Sequence, residues 1–373
     1  MKTLISWRRR LPTGLVLGAV GLSVALHRHG PYWFGRQVAD VAALEAKDGE
    51  IGYKTARLRA QLAEKDPAQP SVVMLGSSQT AFGLNPTAMR HSAPGTPGGP
   101  VVYNFGVMSS GPVVQLMNLR RLVRRGVRPD LLLVEASPRM LFNSVSCSYN
   151  PHFNLELTRI LPEDMDLFRR YDAEWKQLRA DWGIYQLVQW CNRQHGCESL
   201  KVPLMEVVKT PVPEIGPFTD RNGWNGILQD IHGKRNTPPA MVDASCAHCV
   251  GFMTSEPLDM RYVTAYRETL ELCQKEKIRA ALVRMPEPPY LRGHMPKDLL
   301  ACLDEIYAHQ AQLYGAEIVD ARAYLGTNMF NDVAHFTVEG SAEFTRKLED
   351  DYLHTFISRH RATAGGRETA ARN

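Results

Sequence analysis

The chain has 373 residues, 44% hydrophobic and 22% charged, which is ample material for a packed core and excludes an intrinsically disordered protein. That length suits one large domain carrying an insertion, or two small ones. The net charge of +5 is modest, and the basic residues fall in separate places (8–10, 120–128 and the tail after Arg359) with no stripe interleaved with aromatics, so nucleic acid is not an expected partner.

Residues 1–10 are positively charged and 11–26 are apolar, the order of a secretory signal or a signal anchor. The apolar run is shorter than the ~20 residues of a usual membrane-spanning helix, and Ser23-Val24-Ala25 offers small residues at a cleavage position. Residues 1–30 are therefore balanced between cleaved peptide and membrane anchor, and either places the body of the protein outside the cytoplasm. A helical linker over 31–70 follows.

The run Val72-Val73-Met74-Leu75 then stops at Gly76-Ser77-Ser78. It reads as a buried parallel strand turning sharply into a helix, which lifts a hydroxyl to the carboxyl end of a sheet, where open α/β folds keep their sites. A loop rich in Pro and Gly, 94–100, leads to a second strand at Val101. Helix 113–125 carries Val114, Leu116, Leu119 and Leu122 at helical spacing, with Arg120, Arg121, Arg124 and Arg125 expected on its solvent side. Strand 131–135 completes a β-α-β unit.

From 140 to 255 the pattern changes to an expected insertion that caps the sheet edge. Residues 167–190 read as helices carrying Trp175, Trp182, Tyr185 and Trp190, and 201–250 as an irregular stretch rich in Pro, Gly and Asn. These aromatics and Trp224 either shape a cleft, since such rings stack on sugars, or build the insertion's own core, the commoner fate. Helix 262–275, strand 279–284, helix 296–314, a short strand 317–320 and a final helix 341–357 resume the alternation, and the polar tail 359–373 is expected to fray. Strands alternating with helices predict an α/β domain over 71–139 and 256–358, with right-handed crossovers.

The seven cysteines are Cys147, Cys191, Cys197, Cys246, Cys249, Cys273 and Cys302, and their odd number leaves at least one thiol free. In an exported protein Cys191 with Cys197 and Cys246 with Cys249 are candidate disulfides. Alternatively Cys191, His195, Cys197, Cys246, His248 and Cys249 assemble a zinc site, Cys-x-x-Cys being proper ligand spacing. Cys273 and Cys302 read as buried hydrophobes on helix faces. The Gly-x-Ser-x-Gly, Gly-x-Gly-x-x-Gly, P-loop and His-Glu-x-x-His motifs are all absent, which argues against classical α/β-hydrolases, dinucleotide enzymes, P-loop ATPases and zincins. No cofactor is expected.

Late in the chain, Asp332-Val333-Ala334-His335 places a carboxylate three residues before an imidazole, beside a helix start. Such a pair supplies a base and the group that orients it. With the Gly-Ser-Ser turn it resembles the first and last signature blocks of the SGNH (GDSL-like) hydrolase and acyltransferase superfamily. The resemblance implies a flavodoxin-like three-layer sandwich, with Ser78 as nucleophile, His335 as general base and Asp332 as its orienting partner. Ser77 stands where the family usually has Asp. The run Val101-Val102-Tyr103-Asn104-Phe105-Gly106-Val107-Met108-Ser109-Ser110-Gly111 resembles the second block, whose glycine N–H helps form the oxyanion hole. Gly111 is slightly favoured over Gly106 for that role. The third block, Gly-x-Asn-Asp, is replaced by Ala136-Ser137-Pro138, so Ser137, Asn104 or a backbone amide must complete the hole. Arg284 and Glu287, just past a strand end, either contact substrate or form an internal ion pair.

On this resemblance the expected activity is that of a serine esterase or O-acyltransferase acting on an acylated, preferably acetylated, cell-envelope or extracellular polysaccharide. The layout is similar to that of proteins that add acetyl groups to alginate or D-alanine to teichoic acids, which implies a membrane acyltransferase as a partner. The alternative is a catalytically degenerate protein of this fold that binds glycan or scaffolds an acyl-transfer complex.

Overall fold

The computed structural model describes residues 49–66, 68–91, 99–108, 110–142, 160–171, 176, 179, 182–183, 220–225 and 237–362. The N-terminal segment, Cys147, Trp175, Tyr185, Trp190, Cys191, His195, Cys197 and the tail after residue 362 lie outside them. Among the described residues no helix is long and apolar enough to cross a membrane.

The chain divides into two compact units, one of residues 1–47 and 151–213 and the other of 48–150 and 214–373. In the first unit a helical turn, Pro162–Asp164, enters a short helix, Met165–Tyr171. Leu167, Phe168 and Trp182 are buried there, and the Trp182 indole N–H donates to the Ile160 carbonyl at 2.9 Å. Trp182 is thus buried, with no ring face exposed for stacking on a sugar.

The second unit is an α/β three-layer sandwich. Its elements in chain order are α1 (Gly49–Glu64), β1 (Ser71–Gly76), α2 (Ser78–Gly83), β2 (Val101–Gly106), α3 (Pro112–Arg124), β3 (Leu131–Glu135), α4 (Pro239–Ser255), α5 (Met260–Lys275), β4 (Arg279–Arg284), α6 (Pro289–His294), α7 (Lys297–Tyr314), β5 (Glu317–Asp320) and α8 (Val338–Leu348). All five strands are parallel, in the order β2-β1-β3-β4-β5. The central strands β1 and β3 are buried at every position, the run expected of strands covered on both faces. Helix α5 packs on α3 and α7, while α2 packs on α8. The chain leaves β1 in one direction for β2 and builds in the other through β3, so the topological switch lies between β1 and β3, at their carboxyl ends.

Several expectations need correction. The stretch 239–255 is a 17-residue helix rather than irregular chain. Arg121 is only 2% exposed instead of lying on a solvent face. Cys302 is exposed, since the inner side of α7 is carried by Leu303, Tyr307, Gln310 and Ala311. Cys273 is buried as expected. The last helix begins earlier, at Val338, loosens into a π turn over Glu349–Leu353 and continues over 354–362. Buried Glu349 accepts there from the N–H groups of Arg90 and His91 at 2.6 and 3.0 Å.

The free edge of β2 is closed by parts of the chain that had been expected as linker and insertion. The Asn104 N–H donates to the Asn222 carbonyl at 2.8 Å, which satisfies an edge group that otherwise invites foreign strands. Lys54 of α1, fully buried, donates to the carbonyls of Gly106 (2.6 Å), Gly223 (2.8 Å) and Asn104 (3.5 Å). Burial pushes the nearby Asp220 carboxyl up, against the N–H groups of Trp224 and Asn222 and the charge of Lys54, which pull it down. Lys54→Met removes three buried donor contacts and leaves carbonyls unsatisfied, so it is expected to cost about 2–4 kcal/mol. Urea unfolding of the purified chain measures this, and a loss within about 0.5 kcal/mol, an ordinary surface effect, would contradict it.

Candidate active site

Strand β1 ends at Gly76, and Ser77 caps α2 with its hydroxyl, accepting the Gln79 N–H at 3.1 Å. Serine is a favoured cap because its oxygen satisfies one of the orphan N–H groups of a helix start. The cap is thus Ser77, and Ser78 is the first helical residue, 9% exposed at the carboxyl end of the sheet.

The Asp-x-x-His loop reaches Ser78 from the other end of the sequence. Its base is closed by a bridge between Phe330 and Phe336, by the Asn331 N–H on the His335 carbonyl (2.7 Å) and by the Asn331 side chain on the Phe336 carbonyl (3.1 Å). Phe336 is fully buried and packs against Phe330 and Phe344 of α8, so the loop is anchored in the core on both sides of the Asp332–His335 pair. Asp332 Oδ1 accepts the N–H groups of Ala334 (2.7 Å) and His335 (2.8 Å), which fixes the carboxylate. Its Oδ2 lies 2.7 Å from His335 Nδ1, and His335 Nε2 lies 2.8 Å from Ser78 Oγ. A carboxylate only accepts, so Nδ1 carries the proton and Nε2 is left to accept from the serine hydroxyl. Burial works against the charge on Asp332, but the His335 hydrogen bond and charge and the two backbone N–H groups outweigh it and hold the carboxyl down at about 2. Phe82 stands edge-on to the His335 ring, at 5.7 Å between centroids.

The expected oxyanion groups are mostly engaged elsewhere. The Asn104 amide donates to the carbonyls of Thr80 (2.8 Å), Ala81 (3.2 Å) and Leu84 (2.7 Å), and its oxygen accepts the Gly106 N–H at 2.9 Å. Neither Asn104 nor Gly106 therefore has a donor to spare. Gly106 is needed for packing instead: a Cβ there would stand 2.3 Å from the Ala81 backbone nitrogen. The Ser137 hydroxyl donates to Gln79 Oε1 at 2.7 Å, and the Gln79 amide donates to the Pro286 carbonyl at 3.0 Å. Gly111 caps α3, and no acceptor for its N–H occurs among the described residues.

Arg284 is 3% exposed and pairs with Asp304 of α7 while standing over the Tyr307 ring, so it belongs to the wall between sheet and helix rather than to an open cleft. It does not pair with Glu287, whose two oxygens are buried without a hydrogen-bond partner among the described residues. Burial raises the Glu287 carboxyl to about 7, opposed by the charges of Arg284, Arg322 and Arg292 and aided by Asp320.

Cys246 and Cys249 are buried free thiols on α4, and burial pushes Cys246 up to about 12. No group of three or more possible metal ligands occurs among the described residues. The half-buried Trp224 holds the Phe82 carbonyl through its indole N–H at 2.9 Å.

Reading the sequence missed Glu135 altogether. Fully buried at the end of β3, its carboxylate accepts from the Ser77 N–H and hydroxyl at 2.7 and 2.8 Å and from the Thr80 N–H and hydroxyl at 3.2 and 2.6 Å. The available signal was a carboxylate closing the otherwise apolar run Leu131-Leu132-Leu133-Val134. No protein-family model matches the chain, and no curated protein is significantly similar to it in sequence.

Glu287 gives this region a pH signature. Its folded value lies above the ordinary 4.5, so the folded state binds the proton more tightly than the unfolded chain. Its contribution to stability is full below about pH 4.5 and is lost as the pH rises through about 7. Glu287→Gln is expected to gain on the wild type between about pH 4.5 and 7 in denaturant titrations and to level off above that; parallel stability curves for the two proteins would rule this out.

Proposed function

We propose that the protein is an SGNH-like serine esterase or O-acyltransferase, with Ser78 as nucleophile, His335 as general base and Asp332 as its orienting partner. The observation that carries this reading is the continuous hydrogen-bonded chain from Asp332 through His335 to Ser78, at 2.7 and 2.8 Å, on a serine at the carboxyl end of a parallel sheet. A serine hydroxyl is a weak nucleophile until a base within such reach takes its proton. In the proposed reaction Ser78 Oγ attacks an ester carbonyl as His335 Nε2 accepts the proton. The imidazolium, steadied by ionised Asp332, returns that proton to the departing alcohol. The acyl group on Ser78 then passes to water or to a sugar hydroxyl, with His335 again taking the proton.

The N–H groups of Ser78 and Gly111 are the main-chain candidates for the oxyanion, since both lack acceptors among the described residues. The preferred substrate is an acylated cell-envelope or extracellular polysaccharide, with acetyl as the acyl group. The charged-then-apolar order of residues 1–26 supports a place outside the cytoplasm, with a membrane acyltransferase as partner in a transfer role. A second reading, a glycan-binding or scaffolding protein without turnover, is favoured by one observation: Asn104 and Ser137, the two side chains expected to complete the oxyanion hole, are both hydrogen-bonded elsewhere.

The test is hydrolysis of 4-nitrophenyl acetate together with fluorophosphonate labelling mapped by mass spectrometry. Label at Ser78 is expected in the wild type, with turnover lowered at least ~10³-fold in Ser78→Ala and His335→Ala. Ser77→Ala keeps the nucleophile and is expected still to label at Ser78, more slowly than the wild type because the Gln79 N–H and one Glu135 oxygen lose their partner, while losing about 1 kcal/mol of stability from the lost cap. A folded wild type that neither labels nor turns over would remove the enzymatic reading and leave the second.

A further inference from the structure

The start of α2 presents the N–H groups of Ser77, Ser78, Gln79 and Thr80, none of which has a partner within the helix. Three of the four are taken: Ser77 and Thr80 by Glu135 Oε2 at 2.7 and 3.2 Å, and Gln79 by Ser77 Oγ at 3.1 Å. The Ser77 hydroxyl is itself held by Glu135 Oε1 at 2.8 Å. The Ser78 N–H alone has no acceptor among the described residues. This arrangement requires the carboxylate to press against the turn. A Cβ at Gly76 would stand 2.3 Å from Glu135 Oε2 and 2.0 Å from Thr80 Oγ1, so only glycine ends the strand here.

We propose that Glu135 is the positioning residue of the nucleophile turn: it takes up, directly and through Ser77, every amide of the turn except that of Ser78, and so leaves that amide as the oxyanion donor. The assignment rests on the reading of Ser78 as nucleophile. It also accounts for the departure at Ser77, because the acidic group beside the nucleophile comes from β3, and a short hydroxyl at position 77 is what that group can bond. Ionisation matters as well as shape. Four donors converge on the Glu135 oxygens from Ser77 and Thr80, and an ionised carboxyl only accepts, whereas an amide would turn an NH₂ group towards them.

The experiment compares Glu135→Gln, Glu135→Asp and wild type in the full chain. Three readouts are taken: kcat and KM with 4-nitrophenyl acetate, the rate of fluorophosphonate labelling at Ser78, and amide hydrogen exchange at residues 77–80, with thermal melts to certify folding. Glu135→Gln is expected to lower kcat and the labelling rate about 10²-fold, the scale of a lost oxyanion donor, with KM within about twofold, since only transition-state binding is removed. Exchange at Ser77 and Thr80 is expected to quicken, and Glu135→Asp, which keeps the charge, to recover part of kcat. Unchanged kcat in a folded Glu135→Gln overturns the proposal. If that variant does not fold, Glu135→Asp and Thr80→Val decide, and wild-type kcat in both overturns it. A wild type without any Ser78 reactivity overturns the reading beneath it and Glu135's part in catalysis together. The exchange pattern then separates the two failures, since protection at Ser77 and Thr80 would keep Glu135 as a holder of the turn alone.

Discussion

A carboxylate with no exposure to water must be met by donors or it costs several kcal/mol, and at Glu135 that requirement organises the middle of the molecule. The donors come from the turn at the end of β1, the neighbouring strand across the topological switch. Meeting Glu135 fixes where β1 must stop, makes Gly76 obligatory and sets the cap of α2 at Ser77. Ser78 occupies its place as a consequence, one residue into a helix and at the carboxyl edge of the sheet. The site therefore depends on a polar cluster inside an otherwise apolar layer.

The second half of the site obeys the opposite chemistry. His335 is held by its neighbour Phe336, sunk among Phe330 and Phe344, and by main-chain bonds around Asn331. Asp332 needs no support from another element, since the loop's own N–H groups fix one oxygen and leave the other for the imidazole. A loop anchored by apolar packing on both flanks can carry polar groups at its tip without leaving them to wander. Two segments 257 residues apart in sequence meet within one hydrogen bond by this means.

The strands and the serine turn were legible because a wholly buried strand leaves a continuous apolar run, and Gly-Ser-Ser ends it abruptly. Asp332 and His335 were legible because their interaction is local in sequence. The partners of Asn104 and Ser137 were hidden for one shared reason: a polar residue at a strand end looks like a donor waiting for substrate, and only the packed structure shows that neighbouring carbonyls or Gln79 hold it. The partners of Glu135 and Lys54 could not be read, because they lie 58 and 52 residues away; the carboxylate that closes the apolar run of β3 marks Glu135 as unusual without saying what it holds. Arg121 and Cys302 failed in mirror fashion, one buried and one exposed, because helical spacing alone does not say which face of a helix meets a neighbour.

If this account is right, the chemistry at Ser78 rests on main-chain donors and a serine, histidine and aspartate brought together by two differently built supports. The most direct measurement is a crystal structure of the chain after reaction with a fluorophosphonate. The account predicts a phosphonyl group on Ser78 Oγ, with its oxygen within hydrogen-bond distance of the Ser78 and Gly111 N–H groups and with Glu135 still holding Ser77 and Thr80. An adduct elsewhere, or a phosphonyl oxygen turned away from both amides, would contradict it.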